Sequence, residues 1–165
     1  MPPATQQRPI KQLLRLTYLS VIAGSVGTKM FRRFYAEGSK RRDILEDGNL
    51  SCAYFVSAVL HLFKLIEAPH VTVAGTIKDM ESSGWRRIPK ARIGCVIEWE
   101  KIAGEDGNMH SHLGFYVGSG RAISNSAEKG VPVEHHWSFG ATKSARRRAI
   151  AAFFWHTKLD SVTLS

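Results

Sequence analysis

Apolar residues recur at helical spacing over residues 10–35, through Leu13, Leu14, Leu16, Leu19, Val21 and Ile22 and then Met30, Phe31 and Phe34, with Gly24 and Gly27 as a break. This pattern predicts two helices. The basic, Gly-containing stretch 37–49 reads as a connecting loop with a turn at Asp43-Ile44-Leu45. Residues 51–66 carry a broad apolar stripe (Ala53, Phe55, Val56, Val59, Leu60, Phe63, Ile66), with Asn49 and Ser51 as candidate N-caps and Pro69 as terminator. That is the expected central, buried helix. A further helix is expected over 71–83, opened by Thr72 and closed by Gly84. The character then changes. Residues 94–100, 113–117, 121–124 and 131–134 are short, β-rich and separated by Gly, Asp or Asn turns, so they predict strands of an antiparallel sheet. Residues 145–155 read as a last amphipathic helix with its arginines towards solvent. Helices followed by a sheet indicate an α+β fold.

A length of 165 residues suits one domain with a real core, and 44% hydrophobic with 22% charged residues is ordinary for a globular chain. Residues 1–9, with three prolines, read as a flexible lead-in. The net charge of +9 gathers in Arg32-Arg33, Lys40-Arg41-Arg42, Arg86-Arg87 and Arg146-Arg147-Arg148, a distribution that attracts polyanions without choosing among nucleic acid, anionic lipid and acidic wall polymer. The apolar run 16–26 is shorter than the ~20 residues a membrane span needs, so no transmembrane segment is expected. It imitates a secretory signal only weakly, which favours a soluble cytoplasmic protein over a secreted one. Two cysteines build no disulfide framework, and their spacing is not that of a zinc finger.

Cys52 follows the turn sequence Asp47-Gly48-Asn49-Leu50-Ser51 and opens the apolar helix. A thiol in a first helical turn feels the unpaired N–H groups and positive pole of that end, which favour thiolate and can hold an oxyanion. Cys95, inside an alternating apolar strand, reads as structural. In the segment His110 to Gly118, Leu113, Phe115 and Val117 share one face and His112, Gly114, Tyr116 and Gly118 the other. His112 is thus the candidate base for Cys52, and Gly114 and Gly118 are expected to let the thiol-bearing helix approach. A third polar group would fix the imidazole. The candidates are Ser124, Asn125, Ser126, His135 and His136, with Asn125 first, Ser124 next to it, and strand register deciding between those two.

At these residues the chain resembles the NlpC/P60 superfamily of papain-like cysteine peptidases and amidases. Ser51-Cys52-Ala53-Tyr54-Phe55-Val56 fills the place of the cysteine helix, Ile93-Gly94-Cys95-Val96-Ile97-Glu98-Trp99 that of the strand after a Pro/Gly step, and His112-Leu113-Gly114-Phe115-Tyr116-Val117-Gly118 that of the histidine strand. Ser51 stands where the family has Asp, Ala53-Tyr54 where it has Ser-Gly, and Ile123-Ser124-Asn125 where it often has Ile-His-Ala. The resemblance covers residues 49–137. It implies a catalytic core there, preceded by a helical extension over 10–48 and followed by a C-terminal helix and tail over 138–165. It also implies a hydrolase that cleaves an amide bond through a thioester, often in a peptidoglycan-type peptide, with Cys52 as nucleophile, His112 as base and Asn125 or Ser124 orienting the ring. No metal or organic cofactor is required.

Two other readings remain open at this level. His110, His112, His135 and His136 could form a metal site, because an HxH strand points two imidazoles the same way. Alternatively, the chain is a non-catalytic basic module for nucleic acid or anionic wall polymer, in which Trp85 or Trp137 stacks on bases or sugars and Cys52 is inert.

Overall fold

A computed structural model describes residues 12–104, 107–140 and 148–160; the lead-in 1–9, the expected helix start at residues 10 and 11, and Arg146-Arg147 lie outside the described residues. The first apolar stripe forms helix α1 (Leu14–Gly24), which buries Tyr18 and Ile22. Tyr18 ties it down, since its hydroxyl donates to the Gly94 carbonyl at 2.8 Å and its ring meets Phe63 and Phe115 edge-on.

The second expected helix does not form. After Gly27, held at φ +76°, the chain runs through turns. Phe31 packs on Tyr54 and Phe55, and Phe34 on Tyr54, so the aromatic spacing serves contacts with the next helix. The expected loop that follows contains a small hairpin of β1 (Tyr35–Glu37) and β2 (Arg41–Asp43). At its end the Asp43 carboxylate accepts from the N–H groups of Phe34, Leu45 and Asp47.

Helix α2 (Cys52–Leu62) begins at the expected cysteine but stops well before Pro69, with Lys64 in a left-handed conformation. Helix α3 (Val73–Ser82) is capped by Thr72, whose hydroxyl accepts from Gly75 N–H at 3.1 Å. The link between α2 and α3 is pinned at two points. Ser57 Oγ sits 2.7 Å from His70 N and 2.9 Å from His70 O, inside α2. Asp79, on α3, accepts from Glu67 N–H, Ala68 N–H, the Ser83 hydroxyl and the His70 ring.

The sheet has six strands, β3 (Arg86–Ile88), β4 (Val96–Ala103), β5 (Met109–Gly118), β6 (Arg121–Ser126), β7 (Val131–His136) and β8 (Ile150–Trp155), in the order β3-β8-β4-β5-β6-β7 with antiparallel pairing throughout. The fold is α+β. The expected C-terminal helix is corrected by β8, which lies between β3 and β4. A short continuous apolar run such as Ile150-Ala-Ala-Phe-Phe-Trp155 has no periodicity that separates a strand from a helix segment, and pairing along both edges makes it a strand.

The two faces of this sheet differ. Leu113, Phe115, Ile123 and Phe154 join α1 and α2 in the main core, where Phe55 meets Phe115 edge-on. On the other face Ile97, Trp99 and Ala122 form a smaller cluster, covered in part by Tyr116, Trp137 and Phe139. Trp85 is buried, with its indole N–H on the Leu65 carbonyl, so it cannot stack on a ligand as the binding-module reading required. Among the described residues no helix is long and apolar enough to cross a membrane.

Asp79 provides a stability test. Its partial burial raises its pKa, but the N–H groups of Glu67 and Ala68, the His70 ring and the Ser83 hydroxyl together bring it down to about 2. Its side chain is 9% exposed, so solvent screening is small. A drop from the ordinary carboxylate value to about 2 corresponds to roughly 2 kcal/mol. Because the folded pKa is the lower one, this stabilisation is present above pH ~4 and is lost as the pH falls towards 2. Denaturant titration of Asp79→Asn is expected to show a loss of about 2 kcal/mol at pH 7, with the gap to wild type closing below pH ~3.

Candidate active site

The turn sequence before Cys52 is fixed by a close approach of two backbones. Gly48, at φ +97°, lies so near the β6–β7 turn that a Cβ on it would fall 2.5 Å from the Gly130 carbonyl oxygen. Gly130 in turn faces Asp47 O. Asn125 reinforces this seam, its amide donating to the Gly48 carbonyl at 2.7 Å. Arg32 and Arg33 both bond the Asp47 carboxylate, at 2.7 and 3.1 Å. Three segments thus hold the loop that delivers Cys52 into the first turn of α2. Ser51 stands at the N-cap but makes no side-chain cap bond, so the first N–H groups of the helix remain beside the thiol.

The thiol meets β5 at a gap. The register of β5 with β6 begins at Gly114↔Ser124, and just before it the sulfur lies by the Leu113 N–H, the residue after His112. Burial raises the Cys52 pKa and outweighs the N–H groups of Leu113, Ala53 and Cys52 and the positive charge of Arg148. The resting group is therefore a thiol, not the thiolate expected from the helix end alone.

His112 stands on the sheet face opposite α2's main packing. Its Nε2 is 2.9 Å from Ser124 Oγ, and that oxygen is 2.7 Å from His135 Nε2. The Nδ1 of His135 is 2.8 Å from the His136 carbonyl oxygen. Burial, then Arg148, then His135 drive the His112 pKa down to about 3, so the ring is neutral at ordinary pH. Ser124 can reach His112 because Gly114 opposite it has no side chain; a Cβ there would lie 2.7 Å from Ser124 Cβ and 3.0 Å from the Trp99 ring. Gly114 thus admits Ser124 and Trp99, not the helix that the sequence pattern suggested. At Gly118 the near neighbour is Ile93.

Aromatic rings box the two imidazoles. Trp99 lies 5.5 Å from His112 and 5.8 Å from His135 between ring centres, and Phe139 stacks on His135 at 4.1 Å. Phe139 holds a left-handed backbone, φ +57°, a conformation that is costly for a bulky residue and is kept here where its ring closes the box. Beside them opens a cavity of about 410 Å³, lined by His112, Ser124, His135 and Arg148 with Ile102, Val133 and Phe139. Arg148 is anchored on the carbonyls of Glu100 and His110.

The geometry distributes the candidates named from sequence as follows. Cys52 lies by the Leu113 N–H, one residue on from His112, and the charge of Arg148 acts on both the thiol and the imidazole. Ser124, not Asn125, contacts the His112 ring; Asn125 is one residue out of register and points to the Cys52 loop. Cys95 is buried, with a pKa pushed up to about 11 by burial. The metal reading finds no donor set, since among the described residues no three His, Cys, Asp or Glu converge. Trp137 stacks on Phe153, packs at a tilt against Tyr116, and its carbonyl accepts from Trp99, so it too is engaged within the fold. Several basic side chains are engaged by the chain itself while staying at the surface: besides Arg32 and Arg33, Arg86 bonds the Glu81 and Trp85 carbonyls. The pattern missed Phe139, whose residue type signals no turn, and Arg148, which it placed on the solvent side of a helix. Neither a protein-family model nor a curated protein matches this chain.

Two substitutions separate the seam from the imidazole chain. Asn125→Ala removes the donor of a buried carbonyl and is expected to cost roughly 1–3 kcal/mol in chemical denaturation. Gly48→Ala adds both backbone strain and the clash with Gly130 and is expected to cost more than Asn125→Ala in the same measurement.

Proposed function

We propose that this chain is a cysteine hydrolase with a papain-like, NlpC/P60-type core that cleaves an amide bond through a thioester. The reading is supported by a helix-start thiol, Cys52, that lies by the Leu113 N–H next in the chain to a buried neutral imidazole, His112, whose Nε2 is engaged by Ser124. Nε2 of His112 being occupied, Nδ1 is the nitrogen that serves the thiol.

In this reading both partners rest uncharged, and the proton moves as the bond forms. The Cys52 sulfur attacks the substrate carbonyl while its proton passes to His112 Nδ1. The oxyanion is received by the N–H groups at the start of α2, where Ser51 supplies no side-chain cap. His112 returns the proton to the leaving amine as the C–N bond breaks, leaving a thioester. Water then attacks that thioester, giving its proton to His112, and the acid product and the thiol are released. The basic exterior and the cavity beside Arg148 support a peptide substrate that carries negative charge, as peptidoglycan-type peptides do. A non-catalytic binding module gives the His112–Ser124–His135 contacts no role.

Iodoacetamide labelling across pH tests the pair. Wild type is expected to label at Cys52 near neutral pH with base assistance, and His112→Ala to slow this at least about tenfold, leaving a rate that climbs only at alkaline pH. Cys52→Ser removes the label, and Cys95 stays unlabelled. Equal rates in wild type and His112→Ala would remove His112 as base. Because His112 acts as a base when neutral and its pKa lies near 3, the acid limb of kcat/KM on a peptide amide is expected well below the pH 6–7 of an ordinary imidazole. Loss of activity with an ordinary midpoint would contradict the buried, neutral resting state.

A further inference from the structure

We infer that His135 is a positioning residue that, through the Ser124 hydroxyl, dictates which nitrogen of His112 carries the proton. The inference deepens the hydrolase reading and rests on it for its purpose, but the order of hydrogens is fixed by geometry alone.

The order of hydrogens starts at a carbonyl, a group that has no proton to give. His135 Nδ1 lies 2.8 Å from the His136 carbonyl oxygen, so Nδ1 must carry a hydrogen and donate it. A neutral imidazole protonated on Nδ1 has a bare Nε2, which can only accept. Ser124 Oγ, 2.7 Å from that nitrogen, therefore gives its one hydrogen to His135. With that hydrogen committed, the hydroxyl can only accept at its other contact, 2.9 Å away at His112 Nε2. The hydrogen of His112 is thus on Nε2, and the lone pair is on Nδ1, where a base for Cys52 needs it.

Each step has one solution once the carbonyl is in place, and the carbonyl is in place. His136 O also accepts from the Phe139 N–H at 2.9 Å, which fixes the turn after β7. The Phe139 ring stacks on His135, and Trp99 lies against both imidazoles, so neither ring is free to rotate out of the chain. A proton added to His135 would reverse every bond: its Nε2–H would donate to Ser124, Ser124 would donate to His112 Nε2, and Nδ1 would no longer be a base. Burial keeps His135 below its ordinary pKa, opposed by the His136 carbonyl and helped by Arg121 and His136, with Glu134 pulling the other way. The same hydroxyl that orients the ring therefore carries the tautomer message between two strands.

Nitrogen-15 labelling of the histidines, read by long-range nitrogen–proton correlation, reports the tautomers directly in the full chain. At pH 7 wild type is expected to show His112 as the Nε2–H form and His135 as the Nδ1–H form. Ser124→Ala is expected to leave His135 unchanged and to release His112 into a mixture of tautomers. His135→Phe, which keeps a ring against Phe139 but removes the acceptor, should release His112 in the same way and slow Cys52 alkylation about tenfold, whereas His135→Gln, whose amide oxygen can accept from Ser124, should restore both readouts. An Nδ1–H form of His112 in wild type overturns the inference, as does a His112 tautomer indifferent to His135→Phe. The wild-type spectrum decides even if a variant does not fold. Should the tautomers come out as expected while His112→Ala leaves Cys52 labelling unchanged, the relay stands and the hydrolase reading falls.

Discussion

Where β5 runs between β4 and β6, the space that a side chain at position 114 would fill is taken by Ser124 and by the far edge of the Trp99 ring. A single methyl group there would push Ser124 away from His112 and Trp99 away from both imidazoles. The bare backbone at Gly114 is therefore the condition for everything on that face: the hydroxyl between two rings, the aromatic box, and a cavity bounded by polar groups. The opposite face of the same strand obeys ordinary packing rules, with Leu113 and Phe115 buried against the helices. One strand thus serves as core on one side and as a site on the other.

The thiol belongs to neither face. It arrives at the end of a helix packed on the core side and reaches β5 where the pairing with β6 has not yet begun. That position explains the electrostatics. A helix start in open water would favour thiolate, but in a sheltered gap the loss of hydration is the larger effect for thiol and imidazole alike, and a nearby arginine disfavours the imidazolium further. Thiol and imidazole therefore both rest uncharged.

The legible parts of the sequence were those governed by local periodicity and turn chemistry. The helix starting at Cys52, the Thr72 cap and the four strands from β4 to β7 all follow from spacing and from residues that interrupt it. The failures have physical causes. Phe31 and Phe34 imitate a helical stripe because both pack on α2 from an irregular chain. The run 150–155 imitates a helix because a short continuous apolar run carries no alternation, and its pairing with β3 and β4 is a non-local fact. Within the site, Cys52 and His112 were visible as residue types in suggestive places, while the choice between Ser124 and Asn125 depended on register, which sequence leaves free to shift by one. His135 entered only as one of several polar neighbours. Its contact with Ser124 is a property of two paired strands, β6 and β7, and no single segment displays it.

The order of these pieces along the chain has a consequence for how the site comes into being. During synthesis Cys52 emerges early, His112 some sixty residues later, and the His136 carbonyl that bonds the His135 ring later still, at the end of β7. The loop before Cys52 must also wait for Gly130 before it has a surface to rest on. A half-made chain on the ribosome lacks both that surface and the His112–Ser124–His135 contacts, so the arrangement around position 114 exists only once the last strands have paired.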